Sequence, residues 1–472
     1  MVSQRKGVKN NIQKMSKSSK ASVKGKQKNV PDKNSSNSRK RVLDSSSKEE
    51  VNKKPRLEAF DKFENRPCGV VMTLGQGDTG QLGLGEDIMS RKKPAIVKDL
   101  STQKMTLVAA GAMHTVCLSS QSKLYSFGCN DEFALGRITD EEDNSEYNPG
   151  QIEGPLAGKV IVQVTAGDSH TTSLTSSGEA FIWGTFRDSH GRIGLLKEGD
   201  ACSCPTYLDM LKEPIINISS GTDHIALVSI SGKVYTMGCS EQGQLGRVAR
   251  YFANRREQRR KMNVEGQLLV PQKVTIPRSK NATMKPVIVK VFCGSYTTWA
   301  LSAEGEVFGW GLNNFNQLGF PDNEDRFRPQ SVPSLTALGV KFIAGGQHHT
   351  LILDKKGQVF VLGRGEYGRL GLGEDTKQAN EPMQIPSLKN IDSITAGVAN
   401  SFAVDKDGNG YGWGFGENLQ LTTGNEDDEW TPVPLVGKNL EERRVVEVSA
   451  GGQHTALLVA DQEDSDKDGG RT

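Results

Sequence analysis

A Gly-x-x-His-like box followed fourteen residues later by an aromatic-Gly box recurs along this chain from Val70 onward. His114 precedes Gly128 by that interval, as do His170 and Gly184, His224 and Gly238, Thr297 and Gly311, His349 and Gly363, and Asn400 and Gly414. Self-similarity at roughly fifty residues describes an array of small units, none able to bury its apolar face alone. One unit is split: His454 opens a seventh box, Gly-Gly-Gln-His-Thr-Ala-Leu-Leu-Val, while the matching second half, Val-Val-Met-Thr-Leu-Gly, stands at Val70 to Gly75. A repeat shared between the two ends suits a closed ring, in which first and last strands pair and no sheet edge is left exposed.

Each aromatic-Gly box ends a short β-prone run, such as Ala180-Phe-Ile-Trp183, Val307-Phe-Gly-Trp310 and Gly410-Tyr-Gly-Trp413. Ser177-Gly178, Glu304-Gly305, Lys356-Gly357 and Asp407-Gly408 precede these runs and favour tight hairpins, because Gly accepts positive φ. The expected fold is all-β, a seven-bladed β-propeller closed by the N- and C-terminal strands of the split repeat. It would occupy residues 67–461, between a disordered basic tail at 1–66 and an acidic polar tail at 462–472. Ring closure leaves no free edge to pair, so a monomer is expected.

Charge separates tail from body. The first 66 residues hold 19 Lys and Arg against 7 Asp and Glu, net +12, and the whole chain is +3, so the rest is near −9. Rich in Lys, Ser and Asn, and without an aromatic before Phe60, the tail cannot bury enough apolar surface to offset its ordering entropy. Arg39, Lys40 and Arg41, then Lys53, Lys54 and Arg56, read as a two-part nuclear-import signal for an importin, with a solvated charge run as the alternative. The same charges would attract DNA phosphates without sequence preference. No apolar stretch is long enough for a signal peptide or membrane span. Seven cysteines without metal-like spacing fit a reduced compartment, nucleus or cytosol.

Several motifs lead away from chemistry. Gly75-Gln-Gly77-Asp-Thr-Gly80 and Gly363-Arg-Gly365-Glu-Tyr-Gly368 match a dinucleotide fingerprint, yet no helix-forming segment follows to present amides to a pyrophosphate. There is no phosphate loop, zinc-protease pair or nucleophile elbow. No cofactor, metal or covalent step is therefore expected. Five of seven histidines share one repeat phase and read as hydrogen-bonding supports of the blade. His190 and His348 fall outside it.

Asp168, Asp223 and His348 follow the same turn in different repeats and should emerge, with Arg247, on one face around the channel. Packing does not require them, although solvated loop residues remain an alternative. Two breaks in the symmetry are more telling. From the Gly of the aromatic box to the next box Gly, five repeats have eight residues, but Gly184 to Gly194 spans ten through Thr-Phe-Arg-Asp-Ser-His-Gly-Arg-Ile, which suggests a protruding hairpin. Gly238 to Gly311 spans 73 where 51 to 56 is the rule, and the insertion packs Arg255, Arg256, Arg259, Arg260 and Lys261 into seven positions. Such a basic insertion on an acidic body is a candidate anion-recognition loop.

Gly75-Gln-Gly-Asp-Thr-Gly-Gln-Leu-Gly-Leu-Gly85, Ala166-Gly-Asp-Ser-His170, Glu241-Gln-Gly-Gln-Leu-Gly246 and Glu366-Tyr-Gly-Arg-Leu-Gly371 resemble the repeats of the regulator of chromosome condensation family. The resemblance covers Val70 to about Asp461. It implies a propeller that binds the small GTPase Ran with one face and releases its nucleotide, and that contacts chromatin with the other face and the tail. It implies further that Asp78, Asp168, Asp223, Arg247, His348 and His454 contact Ran, with Asp223 closest to the release step. Arg187 to Ile193, bearing Asp188, His190 and Arg192, would then be a wedge entering Ran beside its phosphate-binding loop. The basic insertion would meet the acidic patch of the histone dimer on the nucleosome. A propeller scaffold without exchange activity, or an architectural chromatin protein, remains the alternative.

Overall fold

A computed structural model describes residues 60, 66–139, 145–253, 263–278 and 283–462. Seven four-stranded antiparallel sheets carry one repeat each, and a separate three-stranded sheet accompanies the second of them. We number the blades 1 to 6 from Met105, Ile161, Ile215, Ile288, Val340 and Ile391, the first residues of their inner strands, and call the split one blade 7. Blade 7 pairs Val70–Gln76 with His454–Asp461, Val70 opposite Val459 and Gly75 opposite His454. That register repeats His114 opposite Gly128 in blade 1, so the two chain ends rebuild an ordinary blade.

The cassette glycines are required by how blades meet. In the first box the His ring folds back over its own Gly, and a Cβ on Gly111, Gly167 or Gly221 would stand 2.1 to 2.2 Å from that ring. In the second, the aromatic that ends the third strand reaches the turn of the preceding blade. A Cβ on Gly83 would lie 2.7 Å from Phe127, on Gly136 2.6 Å from Trp183, on Gly246 2.7 Å from Trp310 and on Gly371 2.8 Å from Trp413. These rings are fully buried. The indole N–H groups of Trp183, Trp310 and Trp413 donate to the carbonyls of Ala134, Gln244 and Arg369 at 2.8, 2.8 and 3.1 Å.

The phase histidines form a second belt between blades, as their spacing suggested. Four of the five reach a hydroxyl of the next blade: His114 to Thr171 at 2.9 Å, His224 to Thr298 at 2.9 Å, His349 to Ser401 at 2.9 Å and His454 to Thr115 at 2.8 Å. Those hydroxyls in turn donate to turn carbonyls, as Thr298 does to Gln244. Burial holds the imidazoles neutral, pushing His114 down to about 4 and His224 and His454 to about 3. The inner strands are laced likewise: Gln163 donates to the Ile218 carbonyl, and the Val291 and Cys293 N–H groups donate to Asn217 and Ser219.

Antiparallel order sends the first-to-second and third-to-fourth strand connections to one end of the wheel and the hairpins between second and third strands to the other. The chain enters at Val70 and leaves at Asp461 on the hairpin end. One residue assigned to the tail belongs to the wheel: Phe60 is fully buried in the apolar cluster of Leu174, Ala180, Leu208 and Ile215. Tail positions 1–59 and 61–65, including Arg39, Lys40, Arg41, Lys53, Lys54 and Arg56, lie outside the described residues.

The packing role of the box glycine is separable from its backbone conformation. Gly371 and Gly373 both have positive φ, but only Gly371 faces the Trp413 ring, Gly373 having open space around it. Gly373→Ala should cost about 1 kcal/mol from backbone strain alone, and Gly371→Ala about 2–4 kcal/mol from strain plus overpacking. Equal shifts in the urea midpoint would show that the aromatic-glycine contact does not stabilise the ring.

Candidate functional site

The extra residues after Gly184 build the small third sheet. Phe186–Asp188 pairs with Gly191–Leu195, Asp188 opposite Gly191, leaving Ser189 and His190 as a two-residue turn, and a bulge lies between Phe186 and Arg187. Gly191 has φ +107 with open space around it, so the tip is a tight turn at the surface. Phe186, Ile193 and Leu195 are buried and anchor the base, whereas Arg187, Ser189, His190 and Arg192 are exposed.

The hydrogen-bond belt breaks beneath this hairpin. His170 should meet a hydroxyl at the position of Thr171 and Thr298, but blade 3 has Ile225 there, so both ring nitrogens of His170 lack partners. The ring instead packs edge-on against Phe186, centroids 4.8 Å apart. Neighbouring blades brace the hairpin from both sides. Arg187 and Arg192 clasp the two oxygens of Glu132 in blade 1 at 2.5 and 2.7 Å, and the Ser189 hydroxyl donates to Glu241 in blade 3 at 2.7 Å.

Between hairpin and channel lies an open cleft of about 580 Å³, lined by Asp131, Glu132, Asp168, Asp188, Asp223 and Glu241, with Arg187 and Tyr296 among its other residues. Asp223 accepts the backbone N–H of Arg187 at 2.7 Å, which ties it to the hairpin. Burial and the Asp168 charge push its carboxyl up to about 8, against the pull of the Arg187 N–H and guanidinium. Asp168 is reached by solvent yet surrounded by protein at the mouth, and burial raises it to about 6, with Arg187 opposing. Two neighbouring acids, both raised and one by the charge of the other, form a site where an incoming cation would be strongly favoured.

Not every residue expected on this face lies at the cleft. Asp78 is exposed on the blade 7 turn, where it accepts from Gln81 at 3.2 Å, and does not line it. His348 is half-buried on blade 5, also away from it. His454 is corrected: it is fully buried in the inter-blade belt and presents nothing to a partner. Arg247 is half-buried, and its guanidinium bonds the Thr236 hydroxyl and carbonyl at 3.1 and 3.0 Å, as Arg137 does with Ser126 in blade 1, so it clamps its own blade. Glu132, Glu241, Asp131 and Tyr296 were missed. Their positions carry no distinctive spacing, although the acids opposite a two-arginine hairpin were a usable signal.

Arg255, Arg256, Arg259, Arg260 and Lys261 lie outside the described residues. The flanks of that insertion, Arg250–Ala253 and Glu265–Leu269, connect third to fourth strand of blade 3. They therefore leave from the Asp223 end of the wheel, not the opposite face. Ala253, Val264 and Leu268 border a small hollow with Asp188 and Ile193, and the Glu198 N–H donates to Glu265 at 3.3 Å. Lys197, in the same small sheet, pairs with Asp200 at 2.7 Å.

The architecture is that of a seven-bladed propeller with one blade modified to carry a braced hairpin over an acidic cleft. Residues 70–457 match the RCC1-like domain. The chain is 49% identical over 393 residues to the regulator of chromosome condensation of Xenopus laevis, covering 83% of this chain and 90% of that protein. It is 27% identical to the guanine nucleotide exchange factor SRM1 of Saccharomyces cerevisiae, covering 84% and 89%. The solved structure of Prp20p from Saccharomyces cerevisiae, whose binding to Gsp1p and histones is described with it, superposes with a TM-score of 0.76 at 27% identity, covering 88% of this chain and 98% of that one. A second structure of yeast Prp20, bound to Kap60, gives the same TM-score at 26% identity, covering 91% and 98%. This chain belongs to the regulator of chromosome condensation family.

The raised Asp223 carboxyl has a signed consequence for stability. Its folded value of about 8 lies above the unfolded value of 3.8, so its contribution is fully present below about pH 4 and is lost as pH rises through 8. Asp223→Asn keeps an acceptor for the Arg187 N–H without the charge. Its melting temperature should exceed the parent's by a few degrees at pH 9 and by much less at pH 5. An identical difference at both pH values would mean that Asp223 titrates normally.

Proposed function

We propose that this chain is a nuclear, chromatin-bound guanine-nucleotide exchange factor for the GTPase Ran, acting without covalent chemistry. The observation that carries the reading is the pairing of a braced, protruding hairpin with a cleft of six carboxylates at its foot. The relatives' names and the Gsp1p and histone binding described for Prp20p support it. Exchange requires the factor to bind the empty GTPase more tightly than the loaded form, since equal affinity shifts nothing. The hairpin, held rigid by Glu132 and Glu241, displaces the GTPase's phosphate loop. Asp223 and Asp168 then compete with phosphate for the lysine and Mg²⁺ that held it. Pairing with a lysine ionises Asp223 and repays its desolvation only once that lysine has left the nucleotide. The binding energy is thus spent on the empty state.

Arg187 lies at the centre because its backbone holds Asp223 and its side chain holds Glu132. Asp188, His190 and Arg192 complete the surface offered to Ran, and Asp78 and His348 extend it along the same end of the wheel. Arg255, Arg256, Arg259, Arg260 and Lys261 serve the histone acidic patch, where arginine forks suit carboxylates. The basic tail serves DNA and an importin, in keeping with the Kap60 complex of yeast Prp20.

Asp223→Ala should slow fluorescent-nucleotide release from Ran on the order of 10²-fold, about 2.7 kcal/mol of differential stabilisation, while affinity for empty Ran falls less. An unchanged release rate would remove Asp223 from the mechanism. Replacing the five basic insertion residues together should free the protein from nucleosomes and preserve exchange on soluble Ran. Loss of both would show that the two surfaces overlap beside the hairpin.

A further inference from the structure

A second departure from the repeat lies at the same end of the wheel, three blades from the hairpin. Two residues before the Gly that closes each turn, or before Thr422 in blade 6, stand Gln81, Ala134, Gln244, Gln317 and Gln420 in five blades, and Arg192 in the hairpin blade. Blade 5 has Arg369 there, within an ordinary turn. Its backbone does what its counterparts do, the carbonyl accepting from the Ser401 hydroxyl and the Trp413 indole, both at 3.1 Å. Nothing in the turn demands a cation.

The Arg369 side chain is 3% exposed and its Nη1 has no hydrogen-bond partner. Nε donates to the Glu366 carbonyl at 2.8 Å, and Tyr367, held at φ +60, lies 5.3 Å from the guanidinium. The nearby acids are committed elsewhere: Glu366 pairs with Arg364, and Asp428 accepts the Gly416 N–H at 3.0 Å. Arg364 adds a second positive charge, stacked 4.8 Å from Phe315, which is itself edge-on to His348 at 5.1 Å. His348 is half-buried, its Nδ1 also without a partner, and burial together with Arg369 and Arg364 keeps it neutral. Two cations, one answering carboxylate and two unpartnered buried nitrogens, between aromatic rings, form a cluster whose positive charge an anion would answer.

We infer that Arg369, with Arg364 and His348, forms an oxyanion-binding site that receives a carboxylate side chain of the partner GTPase. This inference rests on the exchange-factor reading above. The planar guanidinium fork suits a carboxylate, and the tyrosine and phenylalanine rings exclude water from the pair. The pocket and the acidic cleft share one end of the wheel, so a partner seated on the hairpin meets opposite charges at the two. That arrangement fixes its orientation as well as its affinity.

Arg369→Gln restores the residue of four other blades and should fold. In low-salt chloride buffer it should melt at or above the parent temperature, because an unanswered buried charge is removed. Inorganic phosphate should stabilise the parent more than the variant. Affinity for nucleotide-free Ran should fall by about 10- to 100-fold, with part recovered in Arg369→Lys. If the parent exchanges Ran normally and R369Q binds it equally well, the assignment is wrong, even where phosphate separates the two proteins and marks the pocket as a free-anion site. A variant that melts well below the parent with an unchanged phosphate response would also overturn it, making Arg369 a structural residue. A parent without exchange activity would instead refute the functional reading, leaving the phosphate comparison to judge the pocket.

Discussion

The ring stands on the contact in which an aromatic side chain of one blade covers a glycine in the turn of the blade before it. Gly136 under Trp183, Gly246 under Trp310 and Gly371 under Trp413 leave no room for a Cβ. Each indole also satisfies a buried carbonyl of that same turn. A blade of four short strands cannot cover its own faces, so apolar burial and polar satisfaction are both completed across the seam. Closing the ring through Val70–Gln76 and His454–Asp461 lets every seam be internal.

The hairpin and its acidic cleft lie where this scheme is interrupted. Ile225 replaces the hydroxyl that His170 would need, and Phe186 of the hairpin takes up the vacated contact. Two unsatisfied imidazole nitrogens are a local cost borne by the packing around them. In return the hairpin gains a rigid footing between Glu132 and Glu241, so its tip can press on a partner without folding away. The acids gathered at its foot repel one another, and this repulsion together with burial raises Asp223.

Much of the fold was legible because periodicity survives in one dimension. The fourteen-residue interval between boxes is the pairing of His114 with Gly128 and of His454 with Gly75, written along the chain. The hairpin was likewise visible as two surplus residues between Gly184 and Gly194. The roles of Arg247 and His454 were not, because a sequence does not say whether a polar side chain turns outward or satisfies its own blade. Arg247 repeats the clamp of Arg137, and His454 the belt of His114. Phe60 was misplaced for a related reason: a single aromatic in a polar tail gives no sign of the cavity that receives it.

What the sequence determined by itself is the number of units, their strand-turn chemistry, the split that closes them and the two places where symmetry fails. These are local spacings and residue types, and local sterics are sufficient to enforce them. Only the tertiary structure decided which departures converge. It set Glu132 of blade 1, Arg187 of the hairpin and Glu241 of blade 3 around one cleft, and it buried Arg369 beside Arg364 and His348. Those groups are distant along the chain, and their energies depend on burial and mutual distance, which exist only once the blades have closed into a ring.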